Sequence, residues 1–285
     1  MINHLCVIGV GLIGGSLSMS LKKAGYVKHV TGLGRSVENL QKAQQLGVID
    51  HYETDYSKVI SKADMIFISV PIGAMPEIFI KIEPYLSKHT IITDGASAKH
   101  SVIAVAQREL GIKINQFIPG HPIAGTEKSG AEAAFDSLYQ NRRVILTPLE
   151  ENSSADIEAT RQMWEVAGAN VDEMGARHHD LVLAGTSHLP HVLAYSLVDS
   201  LNNVDDVDEI FKYAAGGFRD FTRIASSDPV MWRDICLNNS EAILAMMHHF
   251  QNNLDGLKTA IEQTDGDKLL ELFSDAKHAR DKFNM

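Results

Sequence analysis

Three clusters of side chains in this 285-residue sequence could do chemistry. The first is the run Gly120-His121-Pro122-Ile123-Ala124-Gly125-Thr126-Glu127-Lys128-Ser129-Gly130. An unperturbed imidazole titrates near pH ~6.5, so a neutral His121 held between Gly and Pro could take a proton at physiological pH. The second is Ser187-His188-Leu189-Pro190-His191, inside a stretch of helical period. Ser187 and His191 are four apart and share a face. Pro190 denies the Thr186 carbonyl its helical donor and should kink the helix, which suits a polar substrate wall. A metal reading of His188 and His191 lacks a third ligand at suitable spacing. The third cluster runs from Gly216 to Pro229, with Arg219 and Arg223 four apart beside paired glycines. Guanidinium is always charged and grips carboxylates in a bidentate fork. Each cluster alone also has a plainer reading: a solvated loop histidine, two satisfied helix histidines, and an Asp220–Arg223 surface pair of little energetic worth.

A fourth motif, Gly9-Val10-Gly11-Leu12-Ile13-Gly14, follows an apolar run and opens a helical pattern. That context fits a dinucleotide fingerprint. Gly9 would allow the tight turn, Gly11 the approach of a pyrophosphate, and Gly14 close packing of helix on strand. A carboxylate about 20 residues further on normally holds the ribose 2′-OH of NAD; here Gly34 is followed by Arg35 and Ser36. Guanidinium and hydroxyl favour a 2′-phosphate, so NADP or dual use is expected over strict NAD. The alternative is that Ser36 only caps the next helix and Arg35 is solvated.

These motifs need a frame to hold them. Strands are expected near 4–9, 29–34, 64–70, 90–94, 116–119, 143–147 and 170–174, with helices at 14–24, 36–46, 75–84, 98–110 and 154–168. That alternation predicts a doubly wound, parallel α/β sheet of Rossmann type. Beyond Gly175 only helical periods appear: 177–202, 229–260 opened by Asp228 and Pro229, and 266–282. The boundary is therefore placed at 175/176, a dinucleotide-binding domain before it and an all-α substrate and dimerisation domain after it. The formal charge of −10 argues against nucleic acid and anionic membranes as partners. Two cysteines, Cys6 and Cys236, fit a reducing compartment. No run approaches the roughly 20 apolar residues of a spanning helix, and no basic leader opens the chain, so a cytoplasmic protein is expected.

Taken together and in order, the motifs resemble the prephenate dehydrogenase (TyrA) family. They are Gly9 to Ser16, Val70-Pro71, Thr93-Asp94-Gly95-Ala96-Ser97-Ala98-Lys99, Gly120 to Gly130, Ser187 to His191 and Gly216 to Trp232. The resemblance implies oxidative decarboxylation of prephenate to 4-hydroxyphenylpyruvate with NAD(P)⁺, at a site between the two regions of a homodimer. It casts His121 as the base on the ring hydroxyl and Ser97 as its companion, orienting that hydroxyl and the nicotinamide. Arg223 would hold a substrate carboxylate, with His191 and Ser187 on the helical wall. Thr126, Glu127, Gly216, Asp220 and Trp232 would lie about the pocket. Gly9, Gly11, Leu12, Ile13, Gly14, Arg35, Ser36, Val70 and Pro71 would bind the cofactor. No metal is implied. Arogenate is the alternative substrate. A β-hydroxyacid dehydrogenase would need a lysine where Ser187, His188 and His191 stand. A non-enzymatic NADP sensor would need neither His121 nor Arg223.

Overall fold

The computed structural model describes residues 1–205 and 207–283. Its first ten strands and α-helices alternate except where β4 follows β3: β1 (Ile2–Ile8), α1 (Leu12–Lys23), β2 (Val27–Leu33), α2 (Val37–Gln45), β3 (His51–Glu53), β4 (Met65–Ile68), α3 (Met75–Ile82), β5 (Ile91–Asp94), α4 (His100–Leu110) and β6 (Phe117–Ile118). The six strands form one sheet in the order β3-β2-β1-β4-β5-β6, every neighbouring pair parallel. All four residues of β4 are buried, as a strand covered on both faces requires. The short strand β3 has too little apolar sequence to be expected.

Two expected strands lie elsewhere. β8 (Arg143–Leu146) and β9 (Asn170–Glu173) belong to a separate three-stranded sheet led by β7 (Gly120–Pro122). β7 pairs antiparallel with β8, setting His121 opposite Ile145. The sequence reads as a loop at β7 because its Gly and Pro suppress any strand signal, and antiparallel pairing supplies what propensity does not. α5 (Ser154–Val166) crosses between β8 and β9, and its Trp164 meets Phe67 and Tyr139 edge-on at 5.4 and 5.2 Å.

The helical part begins with α6 (Ala176–Leu183), a π-helical turn over Ala184–His188 and α7 (Leu189–Asn202). The turn lies immediately before Pro190, where the freed carbonyl had suggested a kink; the ladder instead widens by one residue, so that Leu189 N–H reaches the Ala184 carbonyl. This run is apolar and long enough, by composition, to cross a membrane, contrary to the sequence expectation. Within it, Asp180 nevertheless accepts from the Lys99 amide and His188 Nδ1 lies 3.1 Å from Asn239 Nδ2. Next come α8 (Val207–Lys212), α9 (Gly216–Thr222) and α10 (Pro229–Asn238). Asp228 caps α10 by accepting from Met231 N at 2.7 Å. The single helix expected over 229–260 is broken at Asn239, whose buried side chain is drawn off to the Asp180 carbonyl.

The chain divides into two compact units, 1–240 and 241–285. The second comprises nearly all of α11 (Ser240–Glu262) and all of α12 (Gly266–Lys282), the latter capped by Asp265. It exposes Leu244, Leu254, Ile261, Leu270 and Phe273 within the single chain.

Candidate active site

The glycine loop closes β1 onto α1 in three chemically distinct ways. Gly9 has φ +92°, and a Cβ there would lie 2.6 Å from the Ser69 carbonyl oxygen. A Cβ on Gly14 would lie 2.5 Å from the Gly9 oxygen and 2.7 Å from Val7 Cγ1. A Cβ on Gly11 would meet nothing within 4 Å. Two glycines are thus required by packing, while the third faces open space at the N-terminus of α1. That end has no side-chain cap, so its amides and dipole are available to an anion. β1 lies between β2 and β4, the point where strand order reverses and dinucleotides bind in such sheets. Leu12 is buried and the Ile13 carbonyl is held by Tyr139 Oη at 2.5 Å, fixing the helix start. These features fit a dinucleotide.

Beside the loop runs a cleft of about 370 Å³ lined by Gly9, Gly34, Arg35, Ser36, Val70 and Pro71. Asn39, Tyr56, Glu77 and Lys81 also line it; sequence reasoning missed them because they come from three segments with no motif of their own. Ser36 Oγ accepts from Asn39 N at 3.2 Å, so it does cap α2, and its O–H remains a donor. Lys81 pairs with Glu77 at 2.6 Å, so the cleft contains both signs of charge.

A chain of imidazoles lies at the carboxyl edge of the main sheet. Asp94, at the end of β5, accepts from Gly120 N at 3.0 Å, and Lys99 Nζ donates to the Gly120 carbonyl at 2.7 Å. The strand bearing His121 is thereby held at both the N–H and the C=O of one residue. His121 Nδ1 lies 2.9 Å from His179 Nε2, and His179 Nδ1 lies 2.8 Å from Asp180 Oδ1. A carboxylate only accepts, so His179 donates from Nδ1 and accepts at Nε2. His121 must then donate from Nδ1, leaving a lone pair on Nε2. Burial, then the neighbouring His179, Lys99 and His188, push the His121 imidazole well below its ordinary range. A neutral ring with a free Nε2 is a proton acceptor. His179 and Asp180 carried no motif; an His-Asp pair early in a helix is common, and only the fold brings it to His121.

The same carboxylate continues the network. Asp180 Oδ1 also accepts from Lys99 N at 2.8 Å, and Oδ2 from His100 N at 2.9 Å. Burial would raise the Asp180 carboxyl, but bonds from His179 and the two amides outweigh it and hold it low. Asn239 Nδ2 donates to the Asp180 carbonyl and lies 3.1 Å from His188 Nδ1. His188 is pushed down to about 4 by burial and by His179.

Of the other expected residues, His191 stacks on Trp232 with ring centroids 3.8 Å apart, its Nδ1 2.8 Å from the Ser187 carbonyl. His188 Nε2 and Trp232 Nε1 are buried without a protein partner among the described residues. Such atoms are costly to leave unmet and suit a polar ligand. Arg223 pairs with Glu127, not with Asp220, and this joins the loop after His121 to the segment after α9. Thr126 Oγ1 accepts from Lys128 N within the same loop. Ser97 is half-buried two residues before Lys99, while Gly216 and Asp220 are exposed on α9. No cluster of three or more His, Cys, Asp or Glu among the described residues could hold a metal.

A parallel sheet of this order, a glycine cradle at its switch point and a buried neutral imidazole at the same edge define a nicotinamide-dependent dehydrogenase. Family models agree: residues 17–173 match the prephenate dehydrogenase nucleotide-binding domain and residues 175–275 the prephenate dehydrogenase dimerization domain. The chain belongs to the prephenate dehydrogenase family. It is 39% identical to the cyclohexadienyl dehydrogenase of Zymomonas mobilis over 97% of this chain and 94% of that one. Its structure resembles prephenate dehydrogenase from Aquifex aeolicus in complex with hydroxyphenyl propionate and NAD⁺ (TM-score 0.92, 37% identity, 99% of each chain). It also resembles Synechocystis arogenate dehydrogenase (TM-score 0.82, 29% identity, 98% and 99% of the chains).

Two outcomes follow from this geometry. Gly11→Ala should fold with near-native stability yet bind the dinucleotide poorly, whereas Gly14→Ala should lose about 1–3 kcal/mol of stability; denaturant titration and cofactor fluorescence separate the two. The second outcome concerns acid. The unfolded state binds a proton at His188 near pH ~6.5 while the folded state resists until about 4. Stability should therefore decline as pH falls through that window, by about 3 kcal/mol from this group. Melting temperatures from pH 7.5 to 4 would test this, with His188→Asn showing a shallower decline.

Proposed function

We propose that the chain catalyses oxidative decarboxylation of prephenate to 4-hydroxyphenylpyruvate and CO₂, with NAD(P)⁺ as hydride acceptor. The observation that carries this reading is the neutral His121, its Nδ1 committed to the His179–Asp180 pair and its Nε2 left free. His121 Nε2 takes the proton of the ring hydroxyl as the carbon beneath it gives up hydride. General-base help of this kind is typically worth about 10²–10⁴-fold. When bound, NAD(P)⁺ supplies the two-electron sink for that hydride. The Asp180 carboxylate steadies the positive charge that then develops on the imidazoles. The new carbonyl, conjugated through the ring, draws in the electron pair of the breaking C–C bond as CO₂ departs, and His121 returns its proton to the resulting phenolate.

The remaining roles rest on the family motifs. Ser97 orients the hydroxyl and the nicotinamide. Arg223 exchanges Glu127 for a substrate carboxylate; its pairing is exposed and cheap to break. His191, braced on Trp232, and Ser187 bind from the helical wall, with Thr126, Gly216 and Asp220 around the entrance. Gly9, Gly11, Leu12, Ile13, Gly14, Val70 and Pro71 form the cradle.

NADP or dual use is favoured over strict NAD: Arg35, Ser36 and Lys81 line the cleft where an NAD-selective sheet would present an acid. A homodimer is supported by the dimerization-domain match and by the apolar side chains that α11 and α12 leave exposed. We place the enzyme in the cytoplasm, as expected of a biosynthetic enzyme. Residues 176–285 serve as the substrate and dimerisation region.

His121→Asn should retain cofactor affinity while turnover falls at least 10²-fold, and Arg223→Ala should mainly raise KM for prephenate. Wild-type turnover in the first variant, or an unaltered KM in the second, would remove the residue from its role. Assaying prephenate and arogenate, each with NAD⁺ and with NADP⁺, should give the highest kcat/KM for prephenate, with NADP⁺ at least matching NAD⁺.

A further inference from the structure

One ion pair in the first unit has no assigned task. Lys99 and Asp94 both have wholly buried side chains, 2.5 Å apart. Burying two charges costs so much desolvation that such a pair does little for stability beside an apolar replacement. Its placement is specific. Asp94 accepts from the Ala96 and Gly120 amides, and Lys99 Nζ donates to the Gly120 carbonyl. Together they grip both ends of the residue preceding His121. The Lys99 amide, in turn, is bound by the Asp180 oxygen that also accepts from His179.

We propose that Lys99, with Asp94, is a positioning residue for the base: it fixes the strand that aims the His121 ring and sets a paired ammonium behind it. This rests on the reading of His121 as the base. The charged and titratable groups around His121 are His179 and Asp180 from α6, His188 from the π turn, Asp94 from the end of β5 and Lys99 from the loop that leads to α4. Burial is the largest influence holding the ring neutral, and His179, Lys99 and His188 add to it. Lys99 is the one residue among them whose ordinary charged form at neutral pH is a cation. Lys99 is itself pulled down by burial, against the opposing pull of Asp94 and Asp180. The nearby carboxylates support its charged form.

The test compares wild type with Lys99→Met and with the double variant Asp94→Asn/Lys99→Met, which removes both charges and should fold even if the single variant does not. The titration of His121 is followed by NMR of its ring Cε1–H, alongside the pH dependence of kcat/KM. Without the cation the ring should become easier to protonate, moving its titration and the acid limb of kcat/KM up by roughly one pH unit. A His121 titration unchanged in folded Lys99→Met would overturn the proposal and leave the pair purely structural; in the double variant, where the opposing Asp94 charge is lost as well, a wild-type kcat would overturn it. A ring titration that moves while the acid limb stays fixed would support the role of Lys99 but remove His121 as the base.

Discussion

Asp180 is the group on which the rest of the site depends. Its two oxygens receive His179 Nδ1 and the amides that open α4, and its carbonyl receives Asn239. One buried carboxylate therefore sets the tautomer of two imidazoles and joins α4, α6 and the end of α10. Its negative charge is tolerable because several donors converge on it; unpaired, it would protonate. Had it protonated, His179 could face either way, and the free lone pair on His121 would no longer be assured.

The parallel sheet could be read from the sequence because its signals are local. Apolar runs such as Met65-Ile66-Phe67-Ile68 and caps such as Ser36 and Asp228 sit beside the elements they define. The glycine loop was equally legible, since Gly9 and Gly14 answer constraints within the loop or from the adjoining strand end and Gly11 keeps the helix start open. Helix 266–282 emerged with its bounds unchanged. What escaped was whatever depends on a distant partner. β7 exists only by pairing with β8, more than 20 residues away. The break at Asn239 comes from a bond to residue 180. His179 and Asp180 gain their meaning only when α6 lies against β7.

The site residues divide along the same line. His121, His191, Trp232, Arg223 and Glu127 were marked by long motifs, and the structure pairs the last four as two contacts. The Asp220–Arg223 pair suggested by spacing did not form, because Arg223 turns toward the loop that follows His121. Lys81 and Tyr56 reach the cleft from segments too ordinary in sequence to attract notice.

The π turn between α6 and α7 carries a consequence of its own. An extra residue in a helix rotates everything after it by about 100° relative to what came before. His179 and Asp180 precede that offset and His191 follows it, so the two groups owe their relative bearing to one inserted position. A sequence lacking a residue there could retain every side chain of the wall and yet turn His191 away from the indole that supports it. The length of this helix therefore matters to the wall as much as the identity of any residue on it.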